Sequence, residues 1–171
     1  MMIGYMAASA DGFVAAPDGS VDFLHPYETV DYGYEAFLAS IDVVAMGRNT
    51  YDAIMGFETG WPYGNRPAYI LTSRALDDDA PEAVTRWDRG LDALAMQTDA
   101  HRVWVVGGPR VQGDALARGL IDELHLFIVP VLLGTGVPLM PAGYEPVTLA
   151  LRSSRSFANG MAHLHYARED A

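Results

Sequence analysis

Three apolar runs in this sequence stop at residues suited to holding an anion. Val43 to Ala45 lead into Met46-Gly47-Arg48-Asn49-Thr50-Tyr51, Ala68 to Leu71 lead into Thr72-Ser73-Arg74, and Arg102 to Val106 lead into Gly107-Gly108-Pro109-Arg110. Main-chain N–H groups at a helix start point at an anion, and a guanidinium can clamp it with two hydrogen bonds. Thr72 and Ser73 add hydroxyl donors beside the charge of Arg74, a combination that suits a terminal phosphate. Two glycines directly after an apolar strand let the main chain approach a planar or charged ligand closely. Each stretch also has an ordinary reading: Gly47 as a turn residue, Arg48 as a solvated charge, Thr50 as a cap, and 72–74 as a polar turn. The spacing is not Gly-x-Gly-x-x-Gly, so it does not imply a Rossmann domain.

Acid–base candidates are fewer. Asp31 opens a helical pattern, where a carboxylate interacts favourably with the helix dipole. His163 and His165 alternate on a terminal strand and so share one face. The nearby sequence offers them no third ligand, and the pair reads as a solvated or interface face, with no metal site expected. His25-Pro26-Tyr27, Trp61 and Tyr63 lie in loops, where they can line a pocket or pack at an interface.

The bulk chemistry excludes several classes. The chain carries a net charge of −11 and no cysteine, and all eleven of its basic residues are arginine. An acidic chain lacks the positive field that nucleic acid or an anionic membrane requires. Thiolate catalysis, cysteine zinc sites, Schiff-base lysines and phosphate-loop lysines are all ruled out. No basic segment followed by a long apolar stretch opens the chain, and no apolar run approaches membrane-spanning length. The expectation is a soluble, cytoplasmic protein.

These side chains must be positioned by an alternation of strands and helices. Strands are expected at Met2–Ser9, Asp42–Met46, Ala68–Leu71, Val84–Trp87, Arg102–Val106 and Ile121–Val131. Helices are expected at Asp31–Ser40, from an Asn49 or Thr50 cap through Ile54, at Gly90–Thr98 and at Val111–Arg118. Residues 10–30 and Gly56–Pro67 read as irregular. Two closing strands, about Thr148–Phe157 and Met161–Ala167, flank Asn159-Gly160, a strong hairpin signal. The order predicts one α/β domain over 1–171, with a mainly parallel sheet finished by an antiparallel C-terminal hairpin.

Ser9-Ala10-Asp11-Gly12, Met46 to Tyr51, Leu71 to Arg74 and Val106-Gly107-Gly108, in that order, resemble the motif set of dihydrofolate-reductase-like proteins. Leu120 to Leu124, and Pro130 through Gly134-Thr135-Gly136, are similar to the reductase branch of riboflavin-pathway deaminase-reductases. The resemblance covers nearly the whole chain. It implies a three-layer α/β/α fold and NADPH as cofactor. By the resemblance, Gly47, Arg48 and Thr50 would hold the diphosphate and 2′-phosphate side. Leu71, Thr72, Ser73 and Arg74 would meet the adenosine 2′-phosphate, while Val106, Gly107, Gly108 and Arg110 would back the diphosphate and nicotinamide. Ala7, Ala8 and Val14 would line the nicotinamide pocket behind a mobile flap at Ala16–Ser20, and Asp31 would be the catalytic acid. The implied substrate is a small nitrogen heterocycle, with dihydrofolate reduction or non-catalytic NADPH binding as alternatives. No Pro-Trp pair stands between Ser20 and Asp31, and Leu124–Val129 carries no hydroxyl, two departures from dihydrofolate reductases. The 121–131 strand and the apolar stretch after it would support a homodimer.

Overall fold

A computed structural model of the chain describes residues 1–169. Its ten strands are β1 Met2–Ser9, β2 Phe13–Ala15, β3 Val43–Gly47, β4 Ala68–Leu71, β5 Val84–Trp87, β6 Val103–Gly107, β7 Ile121–Val129, β8 Val137–Pro138, β9 Leu149–Ser156 and β10 Ala162–Arg168. Four α-helices, α1 Tyr34–Ala39, α2 Arg48–Met55, α3 Gly90–Gln97 and α4 Pro109–Ala117, and one 3-10 helix at Asp22–Tyr27 complete it.

Eight strands form one sheet in the order β5-β4-β3-β6-β1-β7-β10-β9. The six from β5 to β7 are parallel, and β10 runs antiparallel to both β7 and β9. The apolar runs lack a clean alternation because both sheet faces are covered. Met2, Val43, Ala45, Val103 and Val105 face α3 and α4 through Leu91, Leu94, Ala115 and Leu116. Their neighbours Ile3, Val44, Met46 and Trp104 face α1 and α2 through Phe37, Leu38, Tyr51 and Ile54. The result is the expected three-layer arrangement.

Differences from the sequence reading fall at element ends and within residues 10–30, which hold β2 and the 3-10 helix. The first helix starts at Tyr34 rather than Asp31, because Gly33 adopts φ 81° at its N-cap. Neither Asn49 nor Thr50 caps α2: extended Gly47 is the N-cap and no side chain bonds there. Within the stretch read as irregular, β2 pairs with β8 in a separate two-stranded sheet. Strands of three and two residues carry no readable period, so only the pairing defines them. Trp61 and Tyr63 belong to the core beneath their loop: Tyr63 is buried and meets Trp61 and Trp104 edge-on at 4.9 and 5.5 Å.

Candidate functional site

Helices leave β3 and β6 in opposite directions along the sheet, so a crevice opens between their carboxyl ends, where ligands bind in such sheets. Gly47 is the N-cap of α2 and Gly108 the N-cap of α4, so two helix starts meet there. Register pairs Met46 with Gly107. A methyl group added at Gly47 would sit 3.1 Å from Val111 Cγ2, and one added at Gly108 would sit 3.1 Å from Thr50 Oγ1. Thr50 therefore turns its hydroxyl toward the diglycine instead of capping its own helix. The peptide between Gly107 and Gly108 is cis. Gly47, Thr50, Gly107 and Gly108 are thus brought together in a cradle floored by main chain. Exposed Arg110 stands one residue into α4, while Val106 is half-buried behind the diglycine.

On the β4 side, Leu71, Thr72, Ser73, Trp87, Asp88 and Gly90 line a cavity of about 220 Å³. Thr72 Oγ1 accepts the Arg74 N–H at 3.1 Å, which leaves its own proton free to donate. Arg89 lies 3.8 Å over the Trp87 ring. Arg74 is largely exposed and reaches Asp52 at 3.6 Å. Arg48 is placed differently from a free phosphate ligand. Its guanidinium pairs with Asp52, donates to the Ala75 carbonyl at 2.6 Å, and meets Asp77 at 3.3 Å. Arg48 thereby ties α2 to the loop after β4.

On the β1 side, a cavity of about 510 Å³ is lined by Tyr5, Ala7, Asp31, Glu35, Phe127 and Met161, among others. Asp31 Oδ1 accepts the Gly33 N–H at 2.7 Å, which fixes the carboxylate at the mouth. Glu28 and Glu35 also line this cavity, and sequence reading missed both. Glu35 lies in the first turn of α1, one turn on from Asp31, a spacing that could have flagged it. Burial, with Tyr34 and Asp31 nearby, pushes the Tyr5 phenol up to about 12, so it stays a hydrogen-bond donor. Tyr32 donates to the Tyr27 carbonyl at 2.7 Å and accepts from Asn159, so the hairpin loop braces the pocket wall. Ala8, the neighbour of Ala7, is fully buried and Val14 is half-buried on β2. His25 is exposed and does not line the cavity.

Asp11 ties the turn after β1 to residues 133–134. Its carboxylate accepts from Ser9 Oγ at 2.6 Å and from the N–H groups of Leu133 and Gly134 at 3.1 and 2.7 Å. The Ser9 hydroxyl, then these main-chain donors, hold its carboxyl below the usual carboxylate range. The histidines, set apart in sequence, form one cluster: His125 stacks on both His163 and His165, with Glu123 beside them. Burial first, then the neighbouring imidazoles, lowers His125 to about 4, and the same causes lower His163.

A mainly parallel sheet ending in an antiparallel hairpin, with a cradle at its switch point and an aromatic pocket beside it, defines a dihydrofolate-reductase-like domain. The family profile of the RibD C-terminal domain matches residues 2–163, and the chain belongs to that family. It is 30% identical over 167 residues to the uncharacterised protein YwjB of Bacillus subtilis, covering 96% of this chain and 95% of that one. It is 26% identical over 160 residues to the riboflavin biosynthesis protein RibD of Mycobacterium tuberculosis, covering 85% of this chain but 47% of RibD. Among solved structures, a provisionally named riboflavin biosynthesis protein of Shewanella sp. PV-4 superposes with a TM-score of 0.89 at 27% identity, over 98% of both chains. A Corynebacterium diphtheriae pyrimidine reductase-like protein shares the fold, with a TM-score of 0.69 at 17% identity over 97% of this chain and 90% of that one.

Proposed function

We propose that this chain is an NADPH-dependent reductase of a small nitrogen heterocycle, of the type represented by 5-amino-6-(5-phosphoribosylamino)uracil. One observation carries the reading: three sites of complementary chemistry lie in a row along adjoining strand ends. The β4–β5 cavity offers the Thr72 and Ser73 hydroxyls beside Trp87 and Asp88, with Arg74 next along the chain. The β3–β6 cradle offers main-chain donors at two helix starts, in space that a single Cβ would crowd. The β1–β7 pocket offers aromatic walls and carboxylates. An extended dinucleotide fits that sequence of sites, with its 2′-phosphate at Thr72, Ser73 and Arg74, its diphosphate at Gly47, Thr50, Gly107 and Gly108, and its nicotinamide beside Ala7.

When bound, the reduced nicotinamide supplies hydride; the protein's own task is binding, orientation and proton delivery. Tyr5 and Phe127 form part of the pocket's aromatic wall against which a planar ring can lie. Asp31, fixed by the Gly33 N–H, bonds ring N–H groups or delivers a proton to a ring nitrogen. The Tyr5 phenol donates without ionising.

The test is separate titration with NADPH and NADH, followed by tryptophan quenching, since Trp87 lines the adenosine-side cavity. Saturable binding with NADPH preferred supports the assignment, and no binding of either cofactor removes it. With pyrimidine and pterin substrates, Asp31→Asn should lower turnover by roughly 10²-fold or more while cofactor affinity is kept. Unchanged turnover would reassign the acid, with Glu35 next to be tested.

A further inference from the structure

The cluster on β7 and β10 lies outside every step above. Glu123 and His125 are two residues apart on β7 and share a face, as do His163 and His165 on β10. Register sets His165 directly opposite His125, Ala167 opposite Glu123, and His163 opposite Phe127. Glu123 Oε2 lies 3.8 Å from His125 Nε2 and 3.9 Å from His165 Nε2. One ligand atom from each of the three lies within 4.8 Å of the other two. These separations are too long for hydrogen bonds. Donors bound at about 2.1 Å around a tetrahedral ion stand about 3.4 Å apart, so each carboxylate–imidazole separation needs to close by about half an ångström, while the two imidazole donors start within 4.8 Å of each other. The His125 and His165 rings are stacked nearly parallel with centroids 4.2 Å apart, so a shared ion requires His165 to turn its Nε2 toward Glu123.

Two further observations point to a ligand here. His165 Nε2 is buried and has no hydrogen-bond partner. A buried polar atom without a partner is costly, and an ion would satisfy it. In addition, His125 Nδ1 lies 3.0 Å from His163 Nε2. With the proton on Nδ1 shared in that bond, Nε2 of His125 is a bare lone pair facing Glu123. A histidine ligand held through its other nitrogen is the usual supporting arrangement of metal sites.

We propose that Glu123, His125 and His165 bind one divalent transition-metal ion, Zn²⁺ foremost, with His163 orienting His125 from behind. Two imidazoles and one carboxylate favour late first-row ions over Mg²⁺ or Ca²⁺, which prefer all-oxygen sites. The ion clamps β10 to β7 beside the aromatic pocket, and it brings positive charge to a chain of net charge −11. Coordination remains open for water at a fourth position.

Tag-free protein, stripped with chelator, is titrated with Zn²⁺ by calorimetry and with Co²⁺ by visible absorption. One equivalent should bind at micromolar affinity or tighter, with Co²⁺ d–d bands and a raised melting temperature. Glu123→Gln and His165→Gln should each weaken binding by at least tenfold, and His163→Gln by roughly tenfold. Absence of saturable binding to the wild-type protein overturns the proposal whether or not the variants fold. Undiminished affinity in a folded Glu123→Gln variant does so too. Cofactor titration is independent of both results, so failure here leaves the reductase reading standing.

Discussion

Arg48 shows how far a side chain's chemistry depends on its company. An arginine after a strand-end glycine is a natural anion clamp, but here Asp52 and Asp77 already neutralise it and the Ala75 carbonyl holds it in place. In the proposed NADPH complex, a 2′-phosphate at Arg74 would compete with the same Asp52. Asp77→Asn should therefore tighten NADPH binding by roughly threefold or more at low salt, with the gain shrinking as salt screens it and NADH unchanged. Parallel fluorescence titrations of the two cofactors check this, and an equal gain for both would place the effect outside the phosphate site. Gly108 makes the opposite case, because any side chain there crowds the Thr50 hydroxyl. Its φ of −78° suits any residue, so Gly108→Ala should fold, but the methyl group 3.1 Å from Thr50 Oγ1 would fill the cradle. A roughly tenfold loss of affinity for both cofactors, about 1.4 kcal/mol, is expected from the same titrations, with a normal circular dichroism spectrum.

At the scale of elements, the short strands β2 and β8 exist because other contacts hold them. Asp11 bonds the loop before β8 from the loop before β2, and Leu139 N–H reaches the Gly12 carbonyl at 2.8 Å. The Asp11 carboxyl is held below its ordinary value in the folded state, so the unfolded chain takes up the proton first as pH falls. Its contribution is therefore complete above about pH 4 and is lost as pH drops through the lower folded value. Asp11→Asn should melt below the wild type at neutral pH, and the gap should close in acid. Thermal melts across that range, with hydrogen exchange at residues 12–15, measure it; a gap that persists in acid would assign the effect to packing. The same logic of company explains α1. Its six residues bury none completely, yet Phe37 stacks on Tyr5 at 4.1 Å and so shields the pocket's sheet wall.

Across the whole molecule, the two-faced parallel sheet requires helices on both sides, and α3 shows how sharply its faces divide. Leu94 is fully buried, while Met96, two residues on, is 81% exposed. Leu94→Ala should cost about 3 kcal/mol and lower the melting temperature by roughly 10 °C, whereas Met96→Ala should stay within about 0.5 kcal/mol of the wild type. Comparable losses in both variants would mean that α3 is docked by another face. The sequence by itself determined much of this protein: the order of strands and helices, the strand ends that carry glycine, hydroxyls and arginine, and the hairpin at Asn159-Gly160, since apolar period, glycine and turn chemistry are local properties. Ala68–Leu71 and Val84–Trp87 could be read to the residue because each is bounded by polar or turn-forming segments. Only the tertiary structure decided which groups share a site. That Thr50 faces Gly108 rather than its own helix, that Arg48 is held by Asp77, and that His165 lies opposite His125 with Glu123 beside them all follow from pairing between distant segments. Register and crossover geometry set those distances, and no window of neighbouring residues contains them.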